Sequence, residues 1–153
     1  MKFRDTSGSV YSYEDIPKLL EPGSKYEIYV GTDSKVKKSD KKVIYATCIV
    51  LYRKGKGGKI LLSKEKTSLP DSLRQRLSME VWRSLETSME LTKLIPDAEI
   101  TVHVDVNKSQ KFKSGDYCQE LVSMVVGQGF KCVVKPDAFA AQSVADRFSK
   151  KDQ

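Results

Sequence analysis

The chain has 153 residues, a length that favours one domain with a substantial hydrophobic core. Hydrophobic residues make up 39% and charged residues 31%, which excludes a disordered chain, and no apolar stretch is long enough to span a membrane. The net charge of +7 favours a polyanionic partner, because basic surface attracts phosphate. We expect a cytoplasmic protein, since no signal-peptide core is present and the thiols lack CxxC spacing: Cys48, Cys118 and Cys132.

Residues 1–25 are predicted to form a polar N-terminal extension with one short helix, from about Tyr13 to Leu20. Three strand-like runs follow, at 26–33, 43–53 and 59–65, and glycines between the last two indicate a turn. An antiparallel meander is the simplest arrangement. A lysine cluster between the first two runs has two interpretations, a solvated hairpin loop or a nucleic-acid contact: Lys35, Lys37, Lys38, Lys41 and Lys42.

A change of hydrophobic period then predicts a long helix, which begins near Pro70 or Asp71 and ends at about Lys93. After it, strands and helices alternate: a strand at 99–106, a helix at 116–126, a strand at 130–135 and a closing helix at 138–150. Strands joined through helices pair in parallel. The order β-β-β-α-β-α-β-α therefore predicts an α/β fold, a five-stranded mixed sheet with helices packed on it, in a single domain over residues 26–153.

Two aspartates follow apolar strands that a folded sheet can bring together. Asp33 closes the first apolar run and Asp105 closes a valine-rich strand. Carboxylates at one point repel each other unless a hard dication such as Mg²⁺ neutralises them, so this pattern predicts a metal site. The alternative for Asp33 is an ordinary polar residue at a strand end. The single histidine, His103, lies deeper in its strand, and we interpret it as a core residue.

The long helix offers Glu80 as a third ligand. At about 100° per residue its apolar side chains cover an arc of about 120°, and Glu80 lies about 20° outside one edge. Glu86 and Glu90 fall on the far side, with Arg76 and Arg83. Glu80 is therefore predicted to point toward the sheet. The alternative is a boundary glutamate paired with Arg76 or Arg83 at helical spacing.

The fourth acid is either Asp137 or Asp146. Asp137 is placed to N-cap the closing helix, and Asp146 lies within that helix, where an i, i+4 pair with Lys150 is the alternative to a ligand role. The two lie about 13 Å apart along a continuous helix, on roughly opposite sides. One helix therefore does not easily deliver both to the same metals.

The order of elements and the placement of the acids resemble the ribonuclease H-like superfamily. Five segments carry the resemblance, and four of them look more specifically like the bacterial YkuK-type family of predicted ribonuclease H-like nucleases. They are RLSME at 76–80 for the superfamily, and VGTDS at 30–34, DVN at 105–107, MVVGQGF at 124–130 and KPDAFAAQSVADR at 135–147 for the family. The resemblance covers residues 26–150. Phe148 stands where that family usually carries histidine.

The resemblance implies a nuclease that uses two Mg²⁺ or Mn²⁺ ions and leaves a 5′-phosphate and a 3′-hydroxyl. It implies that four acids act as ligands, with Asp146 favoured over Asp137: Asp33, Glu80, Asp105 and Asp146. Lys35 and Lys108 are candidates to hold the flanking nucleic-acid backbone. The alternative is a nucleic-acid-binding module that does not cleave. The sequence leaves the choice among RNA, DNA, hybrid and junction substrates open, and also the oligomeric state.

Overall fold

The computed structural model describes residues 1–107 and 117–135, which form a seven-stranded sheet, two α-helices and one 3₁₀ helix. The elements are β1 (Phe3–Arg4), β2 (Val10–Tyr11), the 3₁₀ helix (Tyr13–Leu19), β3 (Glu27–Lys37), β4 (Lys42–Arg53), β5 (Gly57–Ser68), α1 (Leu73–Leu94), β6 (Glu99–Asn107), α2 (Cys118–Gly127) and β7 (Lys131–Lys135). The closing helix predicted at 138–150 lies outside the described residues. In the described part of the chain, neither α-helix combines the length and the apolar character needed to cross a membrane.

The sheet is mixed, as the order of the predicted elements requires. Its strand order is β2-β1-β5-β4-β3-β6-β7. β3, β4 and β5 form the predicted antiparallel meander, while β6 pairs in parallel with both β3 and β7. Strands that pair in parallel need a crossover connection, and α1 provides the one between the meander and β6. The α/β fold class is confirmed.

The sheet has seven strands and not the predicted five, because the N-terminal residues add β1 and β2 to its edge. Arg4 of β1 pairs with Leu62 of β5, and the side chains of Phe3 and Ile16 are fully buried in the main core. Each added strand has two residues. That length is too short for apolar alternation to reveal a strand, so only the contacts with β5 define it.

Helix α1 lies on one face of the sheet and joins two hydrophobic clusters. Leu91 belongs to the first, with residues of the meander such as Ile28 and Ile49. Leu77, Val81 and Leu85 belong to the second, which also contains the valines of β6 and two side chains of α2. Burial at both ends of α1 fixes the position of the helix over β3 and β6. The polar residues between the clusters therefore have defined positions.

The lysine cluster lies mostly within strands, which corrects its interpretation as a loop. β3 continues to Lys37 and β4 begins at Lys42, so only residues 38–41 form the turn. Lys35 and Lys37 belong to β3 and Lys42 to β4. The ladder between these strands persists after the apolar pattern ends, because backbone hydrogen bonds form with polar side chains as well.

Candidate metal centre

Asp33 and Asp105 lie next to each other where two parallel strands separate. The ladder between β3 and β6 ends at the pair Gly31 and His103, and each aspartate lies two residues farther along its strand. Beyond Gly31, β3 continues its pairing with β4. The register between β6 and β7 shifts between Val104 and Asn107, so Asp105 lies in an irregular segment of the kind that can redirect a side chain.

Glu80 of α1 completes a group of three carboxylates. One oxygen atom from each of Asp33, Glu80 and Asp105 lies within 4.8 Å of the others. Two oxygens bound to one Mg²⁺ lie at most about 4.2 Å apart, so this spacing fits one ion after small side-chain rotations, or two adjacent ions. The donors are carboxylates alone, which suits a hard dication. Three of the four acids expected from the sequence therefore converge, and Asp146 lies outside the described residues.

Glu80 is the buried member of the group, with 5% of its surface exposed. Burial raises the pKa of Glu80 well above its ordinary value of 4.5, and the neighbouring charge of Asp33 and, less strongly, that of Asp105 raise it further. The hydroxyl of Ser34 donates a hydrogen bond to Oε2 of Glu80, which partly opposes this shift. A cation between the three carboxylates would relieve both the repulsion and the burial cost.

The alternative pairing of Glu80 with an arginine is not seen as an ion pair among the described residues, although the charge of Arg76 lowers the pKa of Glu80. Within residues 1–107 and 117–135, Glu80 forms no salt bridge. Arg83 pairs with Glu65 of β5, and its guanidinium carbon lies 3.9 Å from the centre of the Tyr45 ring. The prediction that Arg83 lies on the far side of α1 is therefore wrong, because its side chain is buried. The side chain of Arg76 is half-buried.

Arg83 is buried because the sheet beneath this part of α1 presents polar side chains. Ser34, Tyr45 and Glu65 are neighbours across β3, β4 and β5, and they face residues of α1 at positions i, i+4 and i+7. The polar layer, as we call this set, consists of Ser34, Tyr45, Glu65, Arg76, Glu80 and Arg83. Apolar periodicity alone misses these contacts, because it assigns the buried side of a helix from its apolar residues.

A second set of hydroxyl contacts holds α1 against the strands beside the polar layer. Thr32 Oγ1 shares hydrogen bonds with Ser84 Oγ, at 2.8 Å, and with Thr47 Oγ1, at 3.1 Å. All three residues are buried. Thr32 immediately precedes Asp33, and Ser84 lies one turn after Glu80. These bonds therefore fix the distance between the strand and the helix that carry two of the carboxylates.

The strand lysines lie on the same face of the sheet as Asp33. Side chains alternate along a strand, so Lys35 shares this face with Asp33, and the cross-strand partners extend it over β4 and β5. This face is opposite the one on which Thr32 and Ser34 contact α1. The lysine face, as we call it, consists of Lys35, Lys37, Lys42, Lys64 and Lys66. Lys66 also forms a half-exposed ion pair with Asp40 at 3.2 Å. Lys108, the other candidate contact, lies outside the described residues.

His103 is buried, and its ring centre lies 5.2 Å from that of Tyr29, in agreement with its interpretation as a core residue. Among the thiols, Cys48 is buried, while Cys118 and Cys132 are half-buried, and none of the three forms a disulfide. Neither His103 nor any of these cysteines belongs to the group formed by Asp33, Glu80 and Asp105.

Comparison with known proteins identifies the family of the chain. The family described as ribonuclease H-like matches residues 13–150. The chain is 31% identical over 170 aligned residues to an uncharacterised protein, YkuK, of Bacillus subtilis strain 168, and the alignment covers 97% of this chain and 96% of that relative. No solved structure matches the chain significantly. The chain therefore belongs to the ribonuclease H-like family and, within it, to the YkuK type.

Proposed function

We propose that the protein is a metal-dependent nuclease that hydrolyses phosphodiester bonds of nucleic acid with two Mg²⁺ or Mn²⁺ ions. The observation that carries the proposal is the convergence of Asp33, Glu80 and Asp105 on ligand atoms within 4.8 Å of one another. These three would hold the ions, with Asp146 as the fourth ligand. Membership of the ribonuclease H-like family supports a nuclease-type activity.

The three described carboxylates suit such ions in their chemistry and in the contacts that support them. Bound ions would supply positive charge to the phosphodiester group and make water a better nucleophile. The ladder between β3 and β4 holds Asp33, Asp105 directly follows the last regular pair of β6 with β7, and the Ser34 hydroxyl orients Glu80. Because packing and hydrogen bonds position these groups in advance, little reorganisation is needed when ions and substrate bind.

The lysine face would bind the nucleic-acid backbone on the side of the sheet that carries Asp33. Lys35 lies two residues after Asp33 in β3 and on the same face. Contacts between lysine and phosphate carry no base information, so this face would support binding without strong sequence preference. Lys108 follows the strand that carries Asp105 and remains a proposed second contact.

A binding module without catalysis is the alternative. It accounts for the lysine face and for the net charge of +7. It leaves the carboxylate group unexplained, because three acids beside the path of a phosphate backbone repel it unless cations are bound. We therefore favour the nuclease.

The proposal is tested by incubating the purified protein with Mg²⁺ or Mn²⁺ and a panel of labelled substrates. The panel contains single-stranded and duplex RNA and DNA, an RNA–DNA hybrid and a branched junction. We expect metal-dependent cleavage of at least one substrate, with 5′-phosphate and 3′-hydroxyl ends and no cleavage in EDTA. Salt-sensitive binding without cleavage of any substrate would instead identify the binding module.

A further inference from the structure

Arg76 lies near the three carboxylates, and its charge lowers the pKa of Glu80. Its side chain is half-buried, and within the part of the chain that the structure describes it forms no hydrogen bond or ion pair. Its Nε atom is buried. A buried donor without an acceptor is costly, and an arginine carries several donors. An acceptor other than the described residues would remove this cost.

The other arginines around α1 do have carboxylate partners. Arg83 pairs with Glu65, and Arg74 contacts both oxygens of Glu120, at 2.7 and 3.1 Å. Arg76 lies four residues before Glu80, at a spacing that normally allows a salt bridge. Ser34 and the other two carboxylates occupy the surroundings of Glu80 instead. Among the described residues, the arrangement that gathers the acids thus leaves Arg76 without an ion pair.

Tyr45 gives a second, independent indication of a missing acceptor. Only 1% of this residue is exposed, and in residues 1–107 and 117–135 its hydroxyl has no hydrogen-bond partner. The Nε atom of Arg83, whose guanidinium stacks on the Tyr45 ring, is also without one. Three unused donors therefore occur within the polar layer, on the side of Glu80 away from β6.

We propose that Arg76 binds a phosphate group of the nucleic acid next to the scissile one, with Tyr45 and Arg83 forming the polar rear wall of this subsite. The inference rests on the proposed nuclease function. A guanidinium offers two parallel donors that match phosphate oxygens, which a lysine does not. Arg76 and Glu80 are separated by about 6 Å along the helix axis, so one substrate strand can contact both the ions and Arg76.

The first test observes Arg76 directly in the wild-type protein. The side-chain Nε–Hε signals of ¹⁵N-labelled protein are recorded by NMR while inorganic phosphate is added, with Mg²⁺ present. The Arg76 signal is assigned by its loss in Arg76→Lys. We expect it to shift in a saturable way while that of Arg74, on the same helix, stays in place. An unshifted Arg76 signal, or equal shifts at both residues, overturns the subsite.

The second test uses cleavage of the best substrate from the panel. We expect Arg76→Gln to raise KM by about tenfold or more with a smaller change in kcat, and Arg76→Lys to restore only part of the loss. Arg74→Gln is the matched control and should behave as wild type. An unchanged KM in Arg76→Gln refutes the inference and leaves the nuclease in place. If the wild type cleaves nothing, the proposed function fails, and the phosphate titration still decides the subsite.

Discussion

The hydroxyl of Ser34 donates a hydrogen bond to the carboxylate of Glu80, and this bond connects β3 to α1 at the metal centre. Ser34 directly follows Asp33, so one strand carries both a candidate ligand and the group that orients another. Glu80 thus faces the strand, and among the described residues it forms no ion pair with Arg76, although the charge of Arg76 lowers its pKa.

Replacement of Asp33 or Asp105 by Asn is expected to abolish cleavage while the protein stays folded. Each change removes a negative ligand, and the melting temperature without metal should rise because carboxylate repulsion is relieved. Cleavage with Mn²⁺ and thermal denaturation measure the two effects. Asp97→Asn, at an exposed position after α1, is the control and should remain active. Full activity in both site variants would end the nuclease proposal.

Glu80→Gln is expected to stabilise the metal-free protein at neutral pH. The pKa of Glu80 is raised in the folded state, so its contribution to stability is fully present below its unfolded value, about 4.5, and is lost as pH rises toward the folded pKa. The difference in melting temperature between Glu80→Gln and wild type should thus grow above about pH 4.5 and vanish below it. Denaturation in EDTA across pH measures this difference. A constant difference at all pH values contradicts the buried, acid-crowded environment of Glu80.

The difference in melting temperature between Glu80→Gln and wild type is needed because other acids have lowered pKa values, which change stability with pH in the opposite direction. Hydrogen bonds from Ser12 lower the pKa of Asp15, and the ion pair with Arg53 lowers that of Glu21. These shifts are common to both proteins and cancel. Added Mg²⁺ should raise the melting temperature of the wild type above that of Glu80→Gln, since the metal would bind the folded state through Glu80.

Ser34→Ala is expected to lower metal affinity by about tenfold without unfolding the protein, because residues that orient ligands typically have effects of this size. The concentration of Mn²⁺ that gives half-maximal cleavage is the measurement. Ser34→Thr keeps the hydroxyl and should restore most of the affinity. Equal behaviour of the Ala and Thr variants would show that the hydrogen bond does not position Glu80.

Lys35→Ala and Lys66→Ala are expected to weaken nucleic-acid binding and each to reduce the slope of log affinity against log salt by about 1. Fluorescence anisotropy in an Asp105→Asn background avoids cleavage during the measurement. Lys54→Ala and Lys56→Ala are matched controls, because both are exposed and lie in the turn between β4 and β5. Equal losses in the controls would mean that binding is not localised to the lysine face.

Asp146→Asn is expected to lower activity by orders of magnitude with little change in stability, because a ligand is lost. Asp137→Ala should cost about 1 kcal/mol of stability and leave cleavage largely intact, as expected for a helix cap. Both residues lie outside the described part of the chain, so this prediction rests on the sequence. Activity and denaturation are measured on the same two proteins. The opposite pattern would make Asp137 the fourth ligand.

Hydrophobic patterns predicted some elements of the fold and missed others. The long strands and α1 were predictable because apolar side chains recur along them with a period of two or of about 3.6 residues. β1 and β2 were not, since two residues are too few for a period. The end of β3 was placed four residues early, at Asp33 and not at Lys37, because its last residues are polar and only the ladder with β4 continues.

The sequence by itself determined the fold class, the family and the three carboxylates that converge, Asp33, Glu80 and Asp105, because strand ends and the apolar stripe of a helix are local features. Only the tertiary structure decided which polar partners these residues have. Arg83 is buried on Tyr45, Glu80 accepts from Ser34, and Arg76 has no ion pair among the described residues. These outcomes depend on which side chains meet across three strands and a helix. Such contacts form between residues distant in the chain, so no local pattern encodes them.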